Sequence, residues 1–339
     1  MSIKPIKQKT VSNAGSEVHV TRPTTVSPTG LLQAGSAIFV LCWLTSMLGH
    51  FHHYLELLSH FRMQFFVCAV LLALCLFAVR QFRWFSILFI LSIIDGSFIA
   101  PWYFEKPVPL IRSLAAPLNL RVAQVNVLSS NKNTEAFIHF IGVTSPDIVV
   151  IQEVNKRWGK VIESLKAAYP HQVIQTREDN FGLALISKYP LINPAWTHWG
   201  NADVPSISTK IEIAGTHIHV LASHPLPPVS KHYFMARNRQ LVEIATAAKA
   251  ISSPVVLIGD LNTSMWSSHY IQLEKASGLR NARLGKGILP TWPSQYLLAM
   301  IPIDHCLVSA HFSVDRIFTG NNIGSDHLPL VADLILSGS

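Results

Sequence analysis

Charge is scarce in this chain. Asp, Glu, Lys and Arg make up only 14% of its 339 residues while 49% are hydrophobic, a balance too apolar for an ordinary soluble protein. Cysteine is scarce as well: Cys42, Cys68 and Cys75 fall in the apolar N-terminal part, and Cys306 stands alone in the rest. That distribution excludes a disulfide framework or a Cys-based zinc site beyond the first hundred residues. Internal repeats are lacking, which excludes a repeat array.

What is present in excess is apolar sequence between Leu31 and Phe104, in three blocks. Residues 31–50 and 64–79 carry no formal charge, and residues 84–104 carry Trp and Tyr near their ends and a single acid, Asp95. Measured against the ~20 residues that a spanning helix needs, they read as three transmembrane helices within 31–104. The Gly96, Ser97 and Pro101 that follow Asp95 predict a broken helix end open to water. Lys4, Lys7, Lys9 and Arg22 precede the first block and Arg80 and Arg83 separate the second from the third, whereas the stretch 51–63 holds only Arg62. Basic flanks stay cytoplasmic. The expectation is therefore a multi-pass protein of a bacterial inner (cytoplasmic) membrane, with a flexible cytoplasmic tail over 1–30, a linker over 105–118 and an extracytoplasmic domain over 119–339.

That last part holds 18 Lys and Arg against 15 Asp and Glu. A surplus of 3 argues against a broad nucleic-acid surface, because phosphate neutralisation dominates such binding. Short β-rich runs recur at 120–128, 147–153, 181–187, 208–214, 217–224, 255–262 and 303–309, with helical patterns at 133–145, 156–170 and 231–252. The pattern is α/β.

Several of these strands stop on a polar group: Asn126, Gln152-Glu153, His224, Asp260-Leu261-Asn262 and Asp304-His305. Burying such groups costs several kcal/mol unless they meet partners, water or a metal. Gathered at strand ends, they would line a rigid polar cleft suited to a hard cation and to hydrolysis.

The ordered motifs RVAQVNV, DIVVIQEV, FGLALISKYP, SHPLPP, GDLN, IDHCLVS and GSDHLPL make residues 119–337 resemble the endonuclease/exonuclease/phosphatase superfamily. The resemblance implies a DNase I-like four-layer α/β/β/α sandwich and Mg²⁺-dependent phosphoester hydrolysis, with Mn²⁺ as an alternative. It implies that Glu153, Asn126 and Asp326 serve the metal, that Asp260 and Asn262 orient and activate water, that Asp304 holds His327, and that His224 donates to a phosphate oxygen. The implied substrate is a phosphoester of a lipid, nucleotide or nucleic acid. A nuclease acting outside the cytoplasm and a catalytically silent phospho-ligand scaffold are the alternatives, and the lipid bilayer is the one partner the sequence identifies.

Three features lie outside the motifs. Arg237 and Arg239 read as a solvated helix face, with contact to a substrate phosphate as the alternative; His50, His52, His53 and His60 as interfacial histidines without ordered geometry, with a metal or pH-sensing group as the alternative; and residues 289–304 as packed against the sheet, with walling the cleft or touching the membrane as alternatives.

Overall fold

The computed structural model describes residues 27–104 and 118–336. The expected tail and linker lie outside the described residues, apart from residues 27–30 and 118. The N-terminal part consists of α1 (Pro28–Ser46), α2 (His53–Ser59), α3 (Arg62–Ala78) and α4 (Phe82–Ile99), the last followed by a 3₁₀ turn through Trp102. There follow β1 (Leu118–Asn126), α5 (Thr134–Thr144), β2 (Ile148–Gln152), α6 (Lys156–Ser164), β3 (His171–Gln175), β4 (Leu183–Ser187), β5 (Ile192–Thr197), β6 (Ser206–Ile213) and β7 (Thr216–Ser223). The chain closes with α7 (Lys231–Lys249), β8 (Val255–Asp260), α8 (Ser268–Ser277), β9 (Arg280–Asn281), β10 (Asp304–Val308), β11 (Phe312–Thr319) and β12 (Leu330–Leu336).

Two six-stranded sheets form, ordered β11-β12-β1-β2-β4-β3 and β5-β6-β7-β8-β10-β9. Strand alternation sorts their side chains into layers. Val122, Ile148 and Leu185 face Ile211, Val220 and Ile258 between the sheets. On the outer side of the first sheet, Ala123 and Val149 pack on Phe137 of α5 and Trp158 of α6. Leu221 and Leu257 of the second sheet pack on Leu241 of α7 and Tyr270 of α8. The result is an α/β/β/α sandwich, as expected. Each large apolar side chain buried in these layers contributes roughly 1.5–3 kcal/mol.

The helices start where side chains cap them. Asn133, Asn155, Ser230 and Ser267 accept hydrogen bonds from the first-turn amides of α5, α6, α7 and α8. Helix α8 and strands β3, β5, β9, β11 and β12 were not among the expected elements. In β3 all five residues are half-buried, and β5 carries Pro194 and exposed positions, so neither presents a clean apolar run.

In the N-terminal part, Trp43, Leu76, Leu88 and Leu91 form a small core, while Leu41, Leu71, Leu74, Ile90 and Ile93 point outward. Helix α1 and the stretch from Phe82 to Trp102 are each long and apolar enough to cross a membrane. Helix α3 meets that test only together with α2, to which it is bent by 64°. The expected loop over 51–63 thus holds a helix. Asp95 also departs from expectation: α4 continues unbroken past it, and it is buried, accepting from Arg62 Nη1 at 2.8 Å and from Trp43 Nε1 at 3.0 Å.

The two parts are not separate bodies. Ile99 and Trp102 enter the cluster under α7 and α8, and buried polar groups of α2 meet the domain at its cleft.

Candidate active site

Strand pairing alone brings the polar strand ends together. Strands β1 and β2 run parallel with Asn126 opposite Gln152, so Glu153 leaves the sheet beside Asn126. In the second sheet β7 runs parallel to β8, which sets His224 beside Asp260, and antiparallel β10 puts Asp304 opposite Asp260. Gln124 bridges the sheets, its Nε2 donating to Gln152 Oε1 at 2.9 Å and to Asp304 Oδ1 at 2.5 Å.

Two glycines permit this closeness. A Cβ on Gly259 would lie 2.0 Å from the Ser223 carbonyl oxygen, and one on Gly182 would lie 1.9 Å from that of Val154. The latter contact braces the turn in which Glu153 adopts φ +60°, a strained conformation for a side chain of its size. The strain aims its carboxylate into the cleft.

The cleft has a volume of about 290 Å³, and Glu153, His224, Asp260, Asn262, Asp326 and His327 all line it. Asn126 Nδ2 donates to Glu153 Oε1 at 3.1 Å and Asp260 Oδ2 at 3.3 Å, and Glu153 Oε2 accepts from the Ser129 amide at 3.2 Å. Asp304 Oδ2 holds His327 Nδ1 at 2.9 Å. The Nε2 atoms of His224 and His327 lie 3.6 and 3.7 Å from Asp260 Oδ2. Asp260 Oδ1 accepts from the Asn262 amide at 2.9 Å, and Asn262 Nδ2 donates to the Pro225 carbonyl at 2.9 Å. All eight residues singled out in the sequence therefore meet at one place, six on the cleft surface, with Asn126 touching Glu153 and Asp260 and Asp304 touching His327.

Burial and neighbouring charge divide the protonation states. Burial pushes Asp260 above the carboxylate range, and the Asp304 charge pushes it further. Burial opposes a charge on His327, but Asp304 and Asp260 outweigh it and carry the imidazole up to about 10. His224, buried and facing the charge on His327, is driven down to about 3 and is neutral. The site therefore sets a protonated imidazole beside a carboxylate of raised basicity.

Oxygen donors of the kind a hard cation takes are available. Asp326 receives the Trp292 indole on Oδ2 at 3.0 Å, but its Oδ1 is buried with no hydrogen-bond partner. With Glu153 this offers two carboxylates suited to Mg²⁺ or Mn²⁺. The Asn126 oxygen accepts from the Leu128 amide at 3.0 Å while its NH2 group faces Glu153 and Asp260, so in this arrangement Asn126 braces the carboxylates. Asp260, Asp304 and His327 also have ligand atoms within 4.8 Å of one another. Asp304, however, is already engaged on both oxygens by Gln124 and His327.

Several contributors escaped the sequence. Arg237 is fully buried rather than solvated: Nη1 donates to the Asn262 carbonyl at 2.9 Å and Nη2 pairs with Glu56 of α2. Glu56 Oε1 also accepts from Ser267 Oγ at 2.6 Å. His60 is buried with ordered geometry, Nδ1 lying 3.0 Å from Ser264 Oγ, and it lines the cleft. The segment 289–304 walls the cleft through Trp292, Ile301 and Ile303, one of the alternatives the sequence left open, while Leu289 packs against the core between the sheets. Nothing in the sequence pairs residues 181 positions apart. Arg237 at least follows the helical spacing of the buried Phe234, Leu241 and Ile244, which marks the inner face of α7.

The Glu56–Arg237 pair holds the backbone of the loop that carries Asn262 from the side of the N-terminal helices. Glu56→Gln leaves the guanidinium buried without its counter-charge and is expected to lower stability by roughly 3–5 kcal/mol. Chemical denaturation of the full chain in detergent checks this, and the double replacement Glu56→Leu with Arg237→Met is expected to recover most of the loss.

The chain matches the Endonuclease/Exonuclease/phosphatase family over residues 123–327 and belongs to it. Members of this family are hydrolases of phosphoester bonds and are generally dependent on divalent metals. No curated protein matches the chain significantly. Among solved structures, an endonuclease/exonuclease/phosphatase from Beutenbergia cavernae is 19% identical, with TM-score 0.54 over 65% of this chain and 72% of that one. Zebrafish TDP2 in complex with a single-strand DNA product is 14% identical, with TM-score 0.56 over 64% and 98%. The human Nocturnin catalytic domain with bound sulfate is 19% identical, with TM-score 0.53 over 65% and 96%. At these identities the likeness is one of fold. It lies within about two thirds of the chain.

Proposed function

We propose that the protein is a membrane-anchored, Mg²⁺-dependent phosphoester hydrolase. The observation that carries this reading is the meeting of Glu153, Asp260 and His327 around one cleft from three distant parts of the chain. Glu153 and Asp326 would hold the cation, with Asn126 bracing the Glu153 carboxylate, and the cation would supply positive charge against that developing on the phosphoryl oxygens. Asp260 accepts the proton of the attacking water, its carboxylate fixed by the Asn262 amide. His327, kept protonated by Asp304, donates to the phosphate and to the departing oxygen. His224, neutral and 3.6 Å from Asp260, donates to a non-bridging oxygen.

Because the reaction needs Asp260 ionised, activity is present above its pKa and lost as pH falls through it. Burial and Asp304 both raise that pKa, so the acid limb of kcat/KM is expected well above the ordinary carboxylate range. The protonated His327 persists up to about pH 10, which sets the alkaline limb there. A rate flat from pH 4 to pH 8 would refute the assignment of Asp260.

Helices α1, α3 and α4 make three crossings, with the N-terminus cytoplasmic and the catalytic domain across the membrane. Two features support this arrangement: α2, between α1 and α3, is joined to the domain by Glu56, and Arg80 and Arg83 lie at the other end of the α3–α4 hairpin. A topology reporter fused after residue 339 tests it; a cytoplasmic signal would overturn it. For the activity, the deciding test is turnover of the full chain in detergent on bis(4-nitrophenyl) phosphate and 4-nitrophenyl phosphate, with and without Mg²⁺. Binding of Mg²⁺ and phosphate without turnover of any ester would favour the silent scaffold instead.

A further inference from the structure

We propose that the substrate is a phosphoester bearing a long apolar group, which the cleft takes directly from the bilayer. This rests on the hydrolase reading above and adds the substrate class. The first ground is the lining. Beyond its polar floor the cleft is walled by Leu57, Phe181, Pro227, Val229, Ile301 and Ile303, and among the described residues no Lys or Arg lines it. A polynucleotide brings several phosphates that need cations along the track. A single phosphoester joined to a hydrocarbon needs one polar centre and an apolar wall, and that is what this cleft offers.

The rim gives the second ground. Val229 is 61% exposed, and the segment from Trp292 to Ile301 turns outward through Leu297 and Leu298, which are 80% and 89% exposed. Adjacent exposed leucines on a loop beside a cleft mark a surface meant to be covered.

The third ground identifies the cover. Gln64 Nε2 donates to the carbonyls of Leu298 at 3.2 Å and Met300 at 2.9 Å, tying this loop to the first turn of α3. Val67, Leu71 and Leu74 follow on α3 as exposed apolar positions. At 1.5 Å rise per residue, Val67 lies only about 5 Å along the axis from Gln64. The loop tip therefore stands where α3 enters hydrocarbon, and Leu57 on the neighbouring α2 carries the apolar surface from there into the cleft. At the inner end, His60 Nε2 is buried with no hydrogen-bond partner among the described residues. It is available to a polar group beside the phosphate. Hydrolysis of such a diester adds water across one P–O bond, releasing an alcohol and a phosphate monoester with no further reactant.

The test uses the full chain with Mg²⁺ in dodecyl maltoside micelles and 4-nitrophenyl phosphodiesters of ethyl, octyl and hexadecyl alcohol, with the alkyl phosphate monoesters assayed by phosphate release. Micelles enrich long esters for any anchored enzyme, so the informative quantity is the ratio of kcat/KM for the hexadecyl to the ethyl ester, compared between variants. That ratio is expected to fall by at least about tenfold in the Leu297→Ser/Leu298→Ser double variant, given the apolar area withdrawn. An unchanged ratio overturns the proposal, as does cleavage of a single-stranded oligonucleotide faster than any alkyl ester. Failure to hydrolyse every ester and the oligonucleotide, in protein that melts cooperatively, would refute the hydrolase reading itself, which is a separate result.

Discussion

Asp260→Asn is expected to lower kcat by about 10³-fold while leaving KM within a few-fold, the signature of a lost proton acceptor and not of lost binding. The carboxylate stands within 4 Å of two imidazoles, yet the Asn262 amide and the Asn126 side chain hold its two oxygens in place. An amide of the same shape keeps one of these two bonds, with its oxygen toward the Asn262 amide, and removes the basicity. The same exchange relieves a buried charge facing Asp304 and is expected to raise the melting temperature. Steady-state kinetics and a thermal melt on one preparation decide the matter. Lower activity with lower stability would point to a structural role only.

Removal of divalent cations is expected to abolish turnover altogether, with Mg²⁺ or Mn²⁺ restoring it. The Asp326 oxygen without a hydrogen-bond partner among the described residues and the Glu153 carboxylate at the cleft are both open to a cation. Glu153→Gln should therefore raise the Mg²⁺ concentration needed for half-maximal rate by 10- to 100-fold or about that, while Mg²⁺-saturated protein melts at a higher temperature than chelated protein. Turnover insensitive to EDTA would end the case for a metal.

Which parts of this molecule could be read from its sequence follows from how local the signals are. Asn126, Glu153, His224 and Asp260 each sit at the end of a buried apolar run, and a polar residue there is visible without coordinates. The sandwich was legible only through the resemblance that the ordered motifs carry, since the strand and helix patterns by themselves indicate no more than an α/β domain. Partners that act across the chain were not legible. Glu56 lies in a stretch that reads as a loop between two apolar blocks, and Arg237 read as part of a solvated helix face, whereas the fold buries them against each other. His60 looked like one histidine in an interfacial group. Asp95 misled because neighbouring Gly96 and Pro101 predict a break, whereas the Arg62 guanidinium neutralises the acid inside an intact helix. Edge strands such as β3 and β5 were missed since their side chains are only half covered.

The slot that α2 occupies bears on any attempt to obtain a water-soluble version. Cutting before residue 118 would uncover the Arg237 guanidinium, the Ser264 and Ser267 hydroxyls and the apolar patch that receives Trp102, all at the back of the GDLN loop. A shortened enzyme therefore has to be redesigned along that seam, with a substitute acid or an apolar replacement for Arg237, before its catalytic behaviour reports on the native protein.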